Sequence, residues 1–167
     1  MKRRFLSVVF TGMLFGTFAT GTAVAEDSMV IQVKRMSMDT AAAVAKAAVE
    51  ACRAKGIQIG VTVVDRDGVP QVVMRDTIAP VITLQISEGK AYAAVMFNVP
   101  TSELNARANT PIGRVPGVVM SAGGVPIEVG GSLLGGVGVS GAPTGETDQE
   151  CAQAGVEAVQ TDLEMSM

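Results

Sequence analysis

Apolar and polar positions change period along this chain, and each change predicts an element. From Met38 to Lys55, Ala41, Val44, Ala45, Ala48 and Cys52 recur at helical spacing, with Lys46, Glu50 and Arg53 opposite. Ser37 is a candidate N-cap and Gly56 a stop, so a first helix is predicted there. Its buried stripe is made of small residues, which allows a close neighbour. Residues 57–64 are then rich in β-branched side chains, Asp67-Gly68 supplies a turn, and 69–75 return as a second strand. Pro70 stands at the start of that strand, where a missing N–H does least harm.

A second helix is predicted over residues 81–97, stopped by Asn98-Val99-Pro100, and a short one over 101–108. After a loop with Pro111, Gly113 and Pro116, strands are expected at 118–120, 125–129 and 132–140. Gly123-Gly124 and Gly130-Gly131 provide their turns. A last helix covers 148–161, with Thr147-Asp148-Gln149-Glu150 as its capping box. Residues 26–37 form a polar lead-in, either an edge strand through Val30, Gln32 and Lys34 or a mobile segment. Hairpin links rather than a βαβ alternation make the sheet largely antiparallel, so the class is α+β.

The N-terminus carries a different pattern. Met1-Lys2-Arg3-Arg4, an apolar stretch over 5–18 and Ala23-Val24-Ala25 have the layout of a secretory signal peptide ending before Glu26. The expectation is a leader over 1–25, a single domain over 26–167, and a periplasmic or secreted location. No later apolar run is long enough to span a membrane. Removing Lys2, Arg3 and Arg4 from the 13 basic residues leaves ten against 16 acidic ones, and there is no Trp. A nucleic-acid footprint is therefore missing. Histidine is absent altogether. That removes Ser-His-Asp and Cys-His catalysis and His-ligated zinc or haem.

Three motifs suggest chemistry and fall on context. Residues 136–141, GVGVSG, match the dinucleotide spacing G-x-G-x-x-G, but no helix opens at the last glycine and no parallel strand follows. In a strand, Gly136 and Gly138 bare one face, which admits a helix, a second backbone or a flat ligand. Residues 138–142 miss the nucleophile elbow at Ala142. Glu146, Asp148 and Glu150 suit a helix start better than a metal, so no metal site is assigned. Cys52 and Cys151 can bridge in an oxidising compartment, and a bond between them is expected; the alternative is two separate buried thiols.

GGVPIEVGGSLLGGVGVSGAPTGETDQECAQAG, residues 123–155, is similar to the signature block of the GlcG/HbpS-like haem-degrading domain family, found also as the C-terminal domain of PduO-type proteins. VVDRDGVPQVVMRD and SEGKAYAAVMF resemble its earlier blocks. The resemblance implies a profilin-like fold, a five-stranded antiparallel sheet flanked by helices, with first and last helices adjacent. It also implies a homo-oligomer and, for some members, haem as cofactor.

Without histidine, iron is left with Tyr92, a methionine such as Met96 or Met120, or a weak oxygen ligand. Such binding would be weak, resting on burial of the ring plus pairing of its carboxylates with Lys90, Arg107 or Arg114. The expected function is an exported ligand-binding module for haem or another flat anionic small molecule. One alternative is an enzyme on a small organic acid, with Lys90, Tyr92 and Glu128 as acid/base candidates and no pair singled out. The other is an oligomeric accessory protein docking on a periplasmic partner.

Overall fold

The computed structural model describes residues 29–167, and the leader expected over 1–25 lies outside them. Contacts divide the chain after Gln32, and residues 33–167 form one compact unit. Residues 29–37 contain no strand.

Helix α1, Met38–Ala54, opens where Ser37 Oγ accepts the Thr40 N–H. The hairpin follows as β1, Gly60–Asp65, and β2, Pro70–Arg75, joined by the Asp67-Gly68 turn. Helix α2, Ile82–Phe97, ends on Asn98 in the left-handed conformation. Residues 101–107 and 111–114 wind as two 3-10 segments. Strands β3, Gly124–Val129, and β4, Ser132–Ser140, complete one sheet in the order β2-β1-β4-β3, antiparallel throughout. Helix α3, Gly145–Met165, closes the chain.

The sheet has four strands among the described residues, not five. The expected strand at 118–120 does not form. Val119 donates its N–H to Gly89 O on α2, 3.2 Å away, and Met120 is buried with Ala93 and Leu104 in a small cluster apart from the main core. Its apolar residues are thus satisfied against a helix rather than a strand. The cap of α3 also differs: Thr144 Oγ1 accepts the Thr147 N–H at 3.2 Å, one turn before the expected box. Residues 101–107 coil as 3-10 rather than α-helix.

Strand alternation divides the two faces. Val61, Val63, Val137, Val139 and Ile127 point into the main core beneath α1 and α3, while Val64 packs against Ala91 and Val95 of α2. The α1–α3 contact is close because it is made of small residues. A Cβ on Gly155 would stand 2.7 Å from Val44 O. Beside it the Cys52–Cys151 disulfide is formed, with Cα atoms 5.5 Å apart and both residues fully buried.

Candidate functional site

Helix α2 places most of the side chains that sequence reasoning singled out, and it sends them to different places. Gly136 and Gly138 lie under its inner face. A Cβ at Gly138 would collide with Ser87 O, and one at Gly136 would reach within 2.6 Å of Val95. The bare strand face admits this helix, so neither glycine is open to a ligand. Thr62 and Ser87 share a buried hydroxyl contact of 2.9 Å in the same seam.

Lys90, expected to pair with ligand carboxylates, is only 3 % exposed. Its ammonium donates to Asp148 Oδ2 at 2.8 Å and to Val139 O at 2.9 Å. Asp148 Oδ1 in turn accepts the Ala142 N–H at 2.9 Å. Burial pushes the Asp148 carboxyl above its ordinary range, against the lowering effect of Lys90 and Ala142. Gly123, at φ +127°, is required here: its Cβ would stand 2.5 Å from the ammonium. The pair is a clasp tying α2 to α3 and β4. Asp148 thus does more than start a helix; of its neighbours, Glu150 pairs with Lys55 and Glu146 is exposed. Among the described residues, no three acidic, Cys or His side chains gather as a metal site.

The remaining cations are on the surface. The Arg107 guanidinium lies 5.9 Å from the Phe97 ring centroid. Arg114 is exposed at the end of the second 3-10 segment, two residues before Pro116. Met120 is buried, Met96 is 42 % exposed, and Glu128 is exposed on β3.

Tyr92 stands elsewhere. It lines a half-open groove of about 700 Å³ along the outer face of α2, a size within the range of small-molecule sites. One wall is Gln85, Ile86, Glu88, Gly89 and Tyr92; the other is the segment 116–119, and Gly68 of the β1–β2 turn closes one end. A Cβ on Gly68 would meet the Tyr92 ring at 2.6 Å and Met96 Cε at 3.1 Å, so the turn rests on the phenol. A Cβ on Gly89 would clash with Val119, which explains how the loop approaches the helix so closely. Sequence reading found Tyr92 but missed the loop wall, having assigned part of it to a strand.

Known proteins share this fold. Residues 36–157 match the model of the HbpS-like family, described as haem-degrading protein HbpS-like. The chain belongs to that family. A double mutant of Streptomyces reticuli HbpS is 34% identical over 84% of this chain and 98% of its own, with a TM-score of 0.75. A PduOC:heme complex is 26% identical, covering 75% of this chain and 95% of its own, at a TM-score of 0.69. Klebsiella pneumoniae ORFY shares the fold at 24% identity and a TM-score of 0.74, over 80% of this chain and 97% of its own. No curated protein sequence matches the chain significantly.

Proposed function

We propose that this chain is an exported, homo-oligomeric binding module whose α2 groove takes haem or another flat anionic small molecule. The observation that carries the proposal is the groove itself, a slot in which Ile86, Pro116, Val118 and Val119 stand beside the Tyr92 phenol, with Gln85 and Glu88 also lining it. Membership of the HbpS-like family and likeness to a protein solved with heme support the choice of ligand.

The residues present fit such a group in size and in donor type. Ile86, Pro116, Val118 and Val119 supply apolar contact for a ring, and the Tyr92 phenol is the available iron ligand, as in tyrosine-ligated haem proteins. Met96 lies one helical turn further on the same side of α2 as Tyr92. Bound haem would supply redox chemistry; the protein's own part is to bury the ring, hold the phenol and exclude water on one face. Among the sequence-predicted cations Lys90 is held by Asp148, and Arg114, exposed two residues before the groove wall at Pro116, is proposed to pair with one carboxylate.

Two further parts of the proposal rest on other features. The leader pattern supports export. Assembly is supported by Val69, Val73, Ile78, Val81 and Ile82, which are at least half exposed at the edge hairpin and the start of α2. Intact mass of periplasmic protein beginning at Glu26, and light scattering above the monomer mass, check these parts. Among the described residues no helix is long and apolar enough to cross a membrane.

Haem titration followed by visible absorption tests the groove. Wild type should give a saturable, high-spin-like spectrum that changes in Tyr92→Phe. No spectral change at high haem excess with folded protein would overturn the reading.

A further inference from the structure

The groove carries one charge, and its sign opposes an anionic ligand. Glu88 is the only acid of α2 and Lys90 its only cation, and Lys90 is held inside the clasp by Asp148. Of the residues lining the groove, Glu88 alone is charged. It makes no ion pair among the described residues.

Helical spacing fixes where that charge stands. Gln85, Glu88 and Tyr92 are three and four residues apart, so they form one polar stripe along the face of α2 that borders the groove. At Gly89, beside Glu88, the facing loop comes close: a Cβ there would meet Val119 at 2.6 Å and Gly117 O at 3.1 Å. That loop wall, Pro116-Gly117-Val118-Val119, holds no charge, and the exposed Arg114 stands two residues before it. The two walls therefore differ electrically. The helix side presents an uncompensated anion, and the loop side is neutral and led by a cation. Glu88 is exposed, so its charge acts through water and is screened by salt.

We propose that Glu88 is the groove's orienting charge, turning the carboxylates of a flat ligand away from α2 and towards the loop side of the rim. It also sets selectivity, favouring ligands whose carboxylates lie on one edge. This inference rests on the groove reading above and adds the residue that sets charge preference and ligand direction there.

The test uses protoporphyrin IX and its dimethyl ester, which differ only in the two carboxylates, with full-length mature protein. Quenching of Tyr92, the single tyrosine of a chain without Trp, reads binding. At low salt Glu88→Gln should tighten the free acid roughly threefold, the effect of a unit charge about 7 Å away in nearly aqueous surroundings. It should leave the ester unchanged. Glu88→Lys should tighten the free acid roughly tenfold, twice the charge change. Both gains should shrink as salt rises. Glu157→Gln, which removes an exposed acid from α3 on the other side of the sheet, should leave the free acid unchanged. Arg114→Gln should weaken the free acid in wild type and weaken it less in Glu88→Lys, whose helix wall then offers a cation of its own. An equal gain for acid and ester, or a gain in Glu157→Gln matching that in Glu88→Gln, overturns the inference while leaving the groove intact. So does an Arg114→Gln loss that is the same in both backgrounds. Failure of wild type to bind either porphyrin overturns the groove reading and this inference with it.

Discussion

Breaking the Lys90–Asp148 clasp should be costly, and replacing the whole clasp should not. Both side chains are about 5 % exposed or less, so each charge depends on the other for compensation. Removing one partner of such a pair typically costs about 3–5 kcal/mol, because a charge is left buried and alone. The two single variants should differ within that range. In Lys90→Met, Asp148 keeps the Ala142 N–H and can take up a proton, so the cost falls near 3 kcal/mol. In Asp148→Leu, Lys90 keeps only Val139 O, and the cost lies near 5 kcal/mol. The double variant Lys90→Met/Asp148→Leu should return to within about 1 kcal/mol of wild type or exceed it. The pH dependence has a definite sign. Asp148 has a folded pKa raised above its unfolded value, chiefly by burial. Its stability contribution is therefore present below the ordinary aspartate range and lost as pH rises through the raised value. Lys90→Met removes a lowering influence, so that variant should gain more than wild type on mild acidification. Urea unfolding of all four proteins at neutral and mildly acidic pH reads each of these. An Asp148→Leu midpoint indistinguishable from wild type, or singles that sum to the double, would refute the reasoning.

Two further outcomes follow from the packing. Cys52→Ala/Cys151→Ala opens a loop of 99 residues, for which chain entropy gives about 4–5 kcal/mol, so urea unfolding should show a loss of that order, and no loss would contradict a formed bond. Gly138→Ala sets a methyl against Ser87 O, so α2 must lift from the sheet; its melting temperature should fall by several degrees, about 1–3 kcal/mol of overpacking. An unchanged melt would mean that the seam is looser than described.

How much of this was legible beforehand depends on the range of the interaction. Helix α1 was readable because its stripe of Ala and Val repeats locally, and it ends at Ala54, one residue short of its expected end at Lys55. Strand β4 was readable from its flanking glycines, over the same residues. The segment 118–120 misled because extended Val-Val-Met reads as a strand, whereas its partner is the helix surface opened by Gly89. Lys90 misled for the same reason: its partner lies 58 positions away, and nothing around it announces a buried ion pair. Thr144 was available as a cap, three residues ahead of Thr147, but the stronger-looking box downstream hid it. At the site, Tyr92 was visible as the chain's single tyrosine, and the loop that makes its groove was not.

The most direct test of the groove is a crystal structure of the mature protein with haem added. The account predicts the macrocycle between α2 and the 116–119 segment, its iron facing the Tyr92 hydroxyl and its carboxylates at the rim. A macrocycle bound elsewhere on the molecule, with the groove empty and Tyr92 still against Gly68, would contradict it.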